Sequence, residues 1–505
     1  MPSRKRAAHQ SAAALISRRS RRRIPKNGVP GAVAREAAYI GDVPGGVLGG
    51  GLCLRGMTPT QISRAERAWR AWEQARRLPD GVRDPEFRAL AQRIDGGPLH
   101  RCPPVRLLPD GEEAFVRMRA AIADARDEVL LETYILRDDT LGVSVQSALL
   151  EAAARGVRVC VLADAVGSLA TNEAFWVTLE AGGVLVRHFH CFWHHPFDAL
   201  RRDHRKLLVI DRATAFTGGM NIGEEYGSSI HRRRVAWRDT FVELRGTVAG
   251  ELAAVFAEGW DRARGPVLPG LDYVSWSEGA LKPPPRPYAP PLRERLQQQL
   301  RTRRDRRHGR RVRCTADTAT VDDSAVLVID PRPGRGQREM LTTLVALAGA
   351  ARERLWITTP YFAPPTRALD LLASAAHRGV DVRLLLPGAR TDVPLVRHAA
   401  HGAYAYLLAR GVRIFEYQRA TLHAKTLVVD GHASLIGSSN LDFRSLWLNA
   451  ECNVLLFDDA CGAALERVYA TDLEGSLEIT AAEWRRRRWA HRVGDGVARA
   501  LRWAL

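Results

Sequence analysis

One short pattern occurs twice in this chain of 505 residues and constrains the fold more than any other feature. Each copy has the form H-x-K-x4-D and is followed at fixed distances by a glycine and an asparagine: His204, Lys206, Asp211, Gly218 and Asn221, then His423, Lys425, Asp430, Gly437 and Asn440. All matching positions are separated by 219 residues. The pattern is interpreted as a duplicated catalytic motif.

The first residues of each copy are typical of a buried strand, because apolar residues follow the motif lysine. Alternation with a period of two predicts that His204 and Lys206 point to one face of that strand, as do their counterparts in the second copy. An imidazole and an ammonium in the same space suit attack on an anionic group such as phosphate. Asp211 and Asp430 lie an odd number of residues after the histidine, so their side chains point to the other face. We expect them to anchor the site at the strand end.

Coincidence between two basic strands is the alternative explanation of the repeat. Only five of the 75 basic residues are lysines, and two of those five occupy the motif positions. One chance copy would be expected on the order of once in a hundred chains of this composition. Because a compact ammonium differs from the planar arginine fork, the retained lysines indicate a function.

The composition narrows the class of protein. A net charge of +19 implies an anionic partner, either lipid head groups, nucleic acid or another phosphate-rich surface. The seven scattered cysteines, without C-x-x-C, favour a reducing compartment over a disulfide framework. No stretch reaches the roughly 18 to 20 apolar residues that cross a bilayer. We therefore expect a cytoplasmic protein that is peripheral on the inner face of the cell membrane.

Strands alternate with helices in both parts of the chain, and a glycine marks the helix-to-strand joints, as in Arg155-Gly156-Val157 and Arg378-Gly379-Val380. This order predicts an α/β fold with α/β/α layers and a mainly parallel sheet. The duplication predicts two similar halves related by a pseudo-twofold axis. The active site is expected at their interface.

Six segments are predicted from the composition. They are a basic, Gly-rich arm (1–56), a helical extension (57–103), the first half (104–264), a Pro/Arg-rich linker (265–320), the second half (321–475) and a basic tail (476–505). The arm is typical of disorder, although an organelle transit peptide has the same composition. The tail, with Trp484, Trp489 and Trp503, fits either an amphipathic helix on an anionic membrane or a helix packed on the body.

Aromatic residues accompany both motifs. A histidine-rich and aromatic segment precedes the first motif: His188, Phe189, His190, Cys191, Phe192, Trp193, His194 and His195. It lacks the ligand spacing of a metal site, so we interpret it as a loop at the mouth of the active site that suits contact with acyl chains. Tyr134 and Tyr361 recur at equivalent strand ends, where they either line the cleft or pack in the core.

Two H-x-K-x4-D motifs with these spacings resemble the phospholipase D superfamily over about residues 104–475. Within that range, Ile436 to Ser445 (IGSSNLDFRS) and Leu448 to Glu451 (LNAE) are similar to bacterial cardiolipin synthases, as is GGMNI at 218–222 followed by WRDT at 237–240. Many of those enzymes begin with membrane-spanning helices, and this chain resembles the shorter members. Arg212 stands where the family often has glycine.

The resemblance implies two-step phosphoryl transfer without a metal or cofactor. His204 would attack the phosphorus, and His423 would serve as general acid and base, although the symmetry of the sequence does not itself assign these roles. The phosphoryl oxygens would be bound by Lys206, Lys425, Asn221, Asn440 and Ser438. Asp239 and Glu451 would orient the histidines, at unequal spacings of 35 and 28 residues from the histidine of their own half.

The resemblance favours phosphatidyl transfer at a membrane surface, in which two phosphatidylglycerols give cardiolipin and glycerol. Hydrolysis of phospholipid to phosphatidic acid is the alternative, because only the acceptor differs. A nuclease of the same superfamily is favoured by the net charge and the basic arm, and disfavoured by the Trp/Arg tail and the aromatic loop. A scaffold without activity is disfavoured because both His-x-Lys pairs are retained.

Overall fold

Two mixed β-sheets, one for each copy of the motif, form the frame of the protein. The computed structural model describes residues 59–189, 201–227, 235–264, 324–331 and 337–487. The predicted arm (1–56), the predicted linker (265–320) and the last residues of the predicted tail (488–505) lie outside the described residues.

The first half begins after three elements of the extension, which are α1 (Pro59–Arg77), α2 (Pro85–Asp95) and β1 (Leu99–Arg101). Its elements are β2 (Arg106–Leu108), α3 (Gly111–Asp124), β3 (Glu128–Thr133), α4 (Thr140–Ala154), β4 (Arg158–Asp164), α5 (Glu173–Ala181), β5 (Leu185–Phe189), β6 (Leu207–Ile210), β7 (Thr214–Gly218), β8 (Phe241–Arg245) and α6 (Thr247–Arg262). Its seven strands form a sheet in the order β2-β8-β7-β6-β3-β4-β5.

The second half repeats this plan with β9 (Ala325–Ile329), α7 (Gln337–Ala350), β10 (Arg354–Thr358), α8 (Thr366–His377), β11 (Asp381–Pro387), α9 (Pro394–Leu408), β12 (Arg413–Tyr417), β13 (Thr426–Val429), β14 (Ala433–Gly437), α10 (Phe443–Trp447), β15 (Asn453–Phe457), α11 (Asp459–Glu474), β16 (Ser476–Ile479) and α12 (Ala481–Arg485). With β1, its strands form a nine-stranded sheet in the order β1-β9-β15-β14-β13-β10-β11-β12-β16. The α/β class and the two similar halves are thereby confirmed.

The prediction of mainly parallel sheets was wrong. Parallel pairing is confined to β3-β4 and β4-β5 in one sheet, and to β10-β11 and β11-β12 in the other. The other described pairings are antiparallel. In β6-β7 and β13-β14 the reason is that the motif strand returns through a tight turn instead of a helix. Asp211 and Arg212 (φ 49° and 52°) make that turn in the first half, and Asp430 and Gly431 (φ 51° and 62°) make it in the second.

Arg212 thus adopts a backbone conformation that suits the glycine found at the equivalent position, Gly431. Its guanidinium forms an ion pair with the buried carboxylate of Glu128, which also pairs with Arg158. These contacts hold the turn in the first half.

The two motif segments pair with the opposite half before their strands begin. Asp203 forms an isolated bridge with Ala450, and the His204 N–H donates to the carbonyl of Ala450 over 2.9 Å. In the second copy Leu422 bridges Arg238, and the His423 N–H donates to the Arg238 carbonyl over 2.7 Å. The histidine and lysine therefore precede the strand, and the prediction that placed them within it was wrong.

The halves also share an apolar core. Leu252 and Phe256 of α6 are fully buried in one cluster with Val326 of β9 and Leu456 of β15. Arg238 donates to both carboxylate oxygens of Asp472 at 3.0 Å, which joins the first half to α11. The shared core and this ion pair fix the interface in which the two motifs meet.

The extension and the start of the predicted tail both pack on the second half. In α1, Trp72 is buried, and its carbonyl lies where a side chain at Gly349 of α7 would project. Residues 476–479, which were predicted to begin the tail, instead form β16 beside β12. Trp484 is buried with its ring 4.6 Å from that of Tyr404, which agrees with the packed alternative for this residue; Trp489 and Trp503 lie outside the described residues.

The described part of the chain contains no helix long and apolar enough to cross a membrane. Its four cysteines, Cys102, Cys160, Cys452 and Cys461, are buried free thiols. Burial raises the pKa of all four thiols, and the pKa reaches about 12 in Cys160 and Cys461. These thiols therefore remain protonated near neutral pH.

Candidate active site

The first imidazole of the site belongs to His204. Its Nδ1 lies 2.9 Å from a carboxylate oxygen of Glu451, which also accepts a hydrogen bond of 2.5 Å from the Ser438 hydroxyl. The ring of Tyr134 stands edge-on to the imidazole, with 5.0 Å between the ring centroids. Glu451 is fully buried, whereas 10% of the His204 side chain remains exposed. One edge of this imidazole is therefore held, and the other is open to a ligand.

His423 supplies the second imidazole and has more contacts. Its Nδ1 lies 2.6 Å from a carboxylate oxygen of Asp239 and 3.2 Å from the Tyr226 hydroxyl. The ammonium of Lys425 lies 2.7 Å from the same nitrogen and 3.0 Å from Nε2. The ring of Trp237 lies 5.6 Å away. This imidazole is enclosed by a carboxylate, an ammonium group and aromatic rings.

Each carboxylate contacts the histidine of the opposite half. Glu451 of the second half meets His204 of the first, and Asp239 of the first half meets His423 of the second. The spacings of 35 and 28 residues therefore join each carboxylate to the histidine of its own half, which it does not contact. Each carboxylate contacts the histidine of the opposite half because the segments that carry the histidines pair with the opposite half.

A glycine and a serine at equivalent positions explain why one carboxylate is aspartate and the other glutamate. A Cβ at Gly219 would lie 2.2 Å from Oδ1 of Asp239, so the shorter acid occupies the space that a side chain would need. At the equivalent position Ser438 donates its hydroxyl to the longer Glu451. Because its one proton is engaged there, Ser438 holds the carboxylate, whereas the sequence predicted that it binds phosphate.

Burial determines the protonation of the imidazoles. Burial lowers the pKa of His204 to about 4, against the opposing charge of Glu451. Burial and the ammonium of Lys425 lower the pKa of His423 well below its usual value. For Glu451, burial raises the pKa, but His204, Lys206 and the Ser438 hydrogen bond outweigh it and leave a net lowering. We therefore assign a neutral His204 that donates its Nδ1–H to an ionised Glu451.

The two motif lysines are nearly inaccessible, and burial lowers their pKa values. The pKa of Lys206 falls to about 7 and that of Lys425 to about 8. The ammonium of Lys206 donates to the carbonyl of His204 over 2.6 Å and lies 5.2 Å from the centre of the Tyr134 ring. Two cations of this kind, close to two imidazoles, form a site for an anion.

The two asparagines lie beside the motifs in different contacts. Asn221 donates its amide to the Tyr226 hydroxyl over 3.0 Å, and its oxygen accepts from the N–H of Ile135 at 3.3 Å. The side-chain oxygen of Asn440 is buried and finds no hydrogen-bond partner within the described ranges. Buried polar atoms are normally paired, so this oxygen is available to a hydrogen-bond donor of a ligand.

Asp211 and Asp430 lie at the far ends of β6 and β13 from the histidines. Each carboxylate accepts three backbone N–H groups at the start of the neighbouring strand: those of Arg126, Asp127 and Glu128 for Asp211, and those of Arg352, Glu353 and Arg354 for Asp430. Both therefore fix the turn after the motif strand. They do not contact either imidazole.

The two tyrosines at strand ends are not at equivalent positions. Thr133 donates its hydroxyl to the carbonyl of Ile135, and Thr359 donates to that of Tyr361, so Tyr361 corresponds to Ile135 and lies one step beyond the counterpart of Tyr134. Both nevertheless reach the site. The Tyr361 ring lies 6.3 Å from that of His423, and Tyr134 contacts the other imidazole.

Three further residues of the site were not predicted. Tyr226 contacts His423, and the Tyr361 hydroxyl donates to Asp392, whose charge also acts on His423. Asp442 is buried near the site, and burial raises its pKa to about 7. Only Asp442 had a local signal, because it lies two residues after the motif asparagine.

The aromatic segment is described only in part. His188 packs its ring 4.7 Å from that of Trp176, and Phe189 is buried. Residues 190–200 lie outside the described residues, so the predicted loop at the mouth stays a prediction. Within the described part of the chain, no group of three or more His, Cys, Asp or Glu side chains could hold a metal ion.

Two segments of the chain, residues 118–258 and 344–473, match the family described as cardiolipin synthase, phospholipase D-like domain. The chain belongs to the phospholipase D-like cardiolipin synthase family. These segments contain both imidazoles and both of their carboxylate partners. Membership makes the chain an enzyme of the phospholipase D type, a phospholipid phosphatidyltransferase.

Curated relatives agree over most of the chain. A cardiolipin synthase from Halalkalibacterium halodurans is 32% identical, covering 82% of this chain and 74% of its own. Cardiolipin synthase A from Pseudomonas entomophila is 34% identical, covering 87% and 83%. A phosphatidylserine synthase structure from Haemophilus influenzae superposes with a TM-score of 0.60 at 14% identity, covering 82% of this chain and 97% of that one. This last similarity shows the shared fold.

Proposed function

We propose that this protein joins two phosphatidylglycerol molecules into cardiolipin and releases glycerol. The observation that carries the proposal is one buried site with two imidazoles, each on a carboxylate of the opposite half, in a member of the cardiolipin synthase family. Because the substrates are bilayer lipids, the protein is proposed to act as a peripheral protein at the inner face of the cell membrane.

In the first step, Nε2 of His204 attacks the phosphorus of one phosphatidylglycerol. A P–N bond forms, and the bond from phosphorus to the glycerol oxygen breaks. A neutral imidazole supplies the lone pair, and the pKa of His204 of about 4 keeps it neutral. Its Nδ1–H is engaged by Glu451, which orients the ring and stabilises the positive charge that develops on it.

His423 moves the proton in both steps. It protonates the departing glycerol, then takes the proton of the hydroxyl on the second phosphatidylglycerol, whose oxygen displaces His204 from phosphorus. The low pKa of His423 in the free protein reflects burial and the neighbouring Lys425. An anionic phosphodiester beside the imidazole favours its protonated form, so substrate binding prepares the acid.

The phosphoryl oxygens are proposed to lie against the ammonium groups of Lys206 and Lys425 and the amides of Asn221 and Asn440. Support comes from the position of each lysine, whose ammonium lies beside the histidine of its own motif. Cations fixed in a site that excludes water stabilise the additional charge of the transition state more than they would in water. No metal ion is needed for these steps.

Incubation with phosphatidylglycerol vesicles, followed by mass spectrometry of the lipids, tests the proposal. We expect one glycerol for each cardiolipin formed, and a loss of at least about 10⁴-fold in turnover in His204→Ala and in His423→Ala. Phosphatidic acid as the only product would make water the acceptor and the protein a phospholipase. Intact lipid together with degraded single-stranded DNA would make it a nuclease.

A further inference from the structure

Four exposed apolar side chains lie in or next to three loops around the site. Val166 and Leu169 belong to the loop after β4 and are 39% and 79% exposed. Val235 precedes β8 and is 64% exposed, and Leu395 in the first turn of α9 is 42% exposed. Single exposed apolar residues are common on proteins, so their position relative to the histidines is the informative feature.

The loop that carries Leu169 encloses Tyr134. The Ser168 hydroxyl donates to the Tyr134 carbonyl over 3.2 Å, and a Cβ at Gly167 would lie 2.1 Å from that oxygen. The Tyr134 ring in turn contacts the imidazole of His204. One aromatic residue therefore separates this exposed loop from the first histidine.

The other two loops approach His423 in the same manner. Val235 lies two residues before Trp237, whose ring is 5.6 Å from the imidazole. Leu395 lies three residues after Asp392, which accepts the hydroxyl proton of Tyr361, and the Tyr361 ring is 6.3 Å from that imidazole. Each exposed loop is thus one aromatic residue away from a histidine.

The fold accounts for this convergence. The parallel strands β3, β4 and β5 direct their carboxyl ends to one edge of the first sheet, and β10, β11 and β12 do the same in the second. Tyr134 follows β3, the loop of Leu169 follows β4, Tyr361 follows β10, and the loop of Leu395 follows β11. These four lie where the two sheets meet at the histidines, and Val235 reaches the same place through Trp237.

We infer that Val166, Leu169, Val235 and Leu395, called here the apolar rim, dock the mouth of the active site onto an anionic phospholipid bilayer. The inference rests on the proposed function, because a bilayer lipid keeps its acyl chains in the membrane while its phosphate reaches the histidines. Since only 10% of the His204 side chain and 5% of the His423 side chain are exposed, the phosphate enters through a narrow opening. The mouth itself must then lie against the head groups.

The charge beside Leu395 fits an anionic surface. Arg390 is exposed in the loop that leads to Leu395, and its guanidinium donates to the carbonyl of Arg419. Arg419 is also exposed and forms an exposed ion pair with Glu474 over 3.8 Å. The nearest carboxylate in that loop, Asp392, is turned to Tyr361. Basic residues next to inserted apolar side chains attract anionic head groups and are typical of interfacial binding. If the apolar rim instead bound a protein partner, that binding would not require lipid.

Cosedimentation of the full chain with phosphatidylglycerol vesicles tests the inference. The variant Leu169→Gln/Leu395→Gln removes two rim side chains. Binding is measured at about 0.5 M salt, because this ionic strength weakens the binding of basic segments elsewhere in the chain to the vesicles. Leu185→Gln is the control, because Leu185 is 36% exposed and starts β5 at the end opposite Asp164 and the rim loops. The rim variant should bind vesicles at least tenfold more weakly than wild type, and the control should bind within twofold of it.

A kinetic ratio separates docking from a general loss of activity. Turnover of vesicle phosphatidylglycerol divided by turnover of a short-chain, monomeric phosphatidylglycerol should fall at least tenfold in the rim variant and remain unchanged in the control. Equal vesicle binding by rim variant and wild type, or equal losses in rim variant and control, would overturn the inference. Loss of vesicle binding in the rim variant, with no cardiolipin made by wild type, would retain docking and reject the proposed function.

Discussion

The smallest unit of the mechanism is one imidazole with one carboxylate, and this unit occurs twice with different partners. Glu451 is held by a serine hydroxyl, whereas Asp239 occupies the space next to a glycine. Lys425 lies directly against His423, while Lys206 donates to the backbone carbonyl of His204. The two histidines therefore lie in unequal surroundings, which fits the two different roles proposed for them.

Replacing either orienting acid by its amide should lower kcat. We expect Glu451→Gln and Asp239→Asn each to reduce kcat by about 10² to 10⁴ with a small change in KM, because the amide no longer fixes the tautomer or stabilises the charged ring. Glu478→Gln, in an exposed ion pair with Arg413, is the control. Steady-state kinetics on phosphatidylglycerol measures both constants, and normal kcat in both amide variants would contradict the orienting role.

The pH dependence of kcat/KM should be bell-shaped. Burial raises the pKa of Asp239 to about 6, so protonation below that pH removes the acceptor of His423. Lys206 and Lys425 carry charge below their pKa values of about 7 and about 8 and lose it as the pH rises, which weakens phosphate binding. We expect an acid limb near pH 6 and an alkaline limb between about pH 7 and 8. An alkaline limb absent up to pH 9 would show that the lysines bind phosphate without titrating there.

Among the elements, the hairpins β6-β7 and β13-β14 explain why the third motif residue is an aspartate. In both halves its carboxylate accepts three backbone N–H groups at the start of the strand that neighbours the motif strand in the sheet, which is β3 or β10. The motif strand, its turn and the adjoining strand are thereby fixed at the end remote from the histidines. The motif thus combines two side chains that are proposed to be catalytic with one side chain that is structural.

Asp211→Asn and Asp430→Asn should each lower the free energy of unfolding by about 1 to 3 kcal/mol, because charge-assisted hydrogen bonds to backbone donors are lost. Asparagine still tolerates the positive φ of these positions, which excludes backbone strain as the cause. Urea unfolding measures the change. Asp110→Asn, at the N-cap of α3, should change stability by less than about 0.5 kcal/mol. Unaltered stability with lost turnover would instead favour a catalytic role.

The elements also show what could be predicted from the sequence. The spacing of His204, Lys206 and Asp211 and its repeat predicted two α/β halves, a shared site and structural motif aspartates. Local periodicity could not predict the antiparallel hairpins, since a strand pattern is the same in either direction. Nor could it predict that His204 meets Glu451, 247 residues away, because that contact depends on pairing between the halves.

At the scale of the molecule, buried charges join the halves next to the first motif. Arg205, between the motif histidine and lysine, is fully buried and lies 2.6 Å from Asp330 of the second half and 3.4 Å from Glu132 of the first. The equivalent position in the second motif is Ala424. The interface is thus asymmetric, and its charged contact adjoins the proposed nucleophile.

Arg205→Met should cost about 3 to 5 kcal/mol of stability, because it removes a fully buried cation that contacts Glu132 and Asp330. Arg413→Met, which removes an exposed ion pair with Glu478, should cost less than about 1 kcal/mol. Both values come from chemical unfolding. A loss from Arg205→Met no larger than that from the control would mean that this network does not hold the halves together.

We propose that the two halves form one site in which His204 is the nucleophile and His423 the acid and base. The most direct test uses His423→Ala with a phosphatidyl ester of nitrophenol, a leaving group that departs without a general acid. We predict a burst of about one nitrophenol per protein and a phosphatidyl adduct on the peptide that contains His204, because the second step lacks its base. His204→Ala should give neither. An adduct on any other residue, or the absence of a burst, would contradict the account.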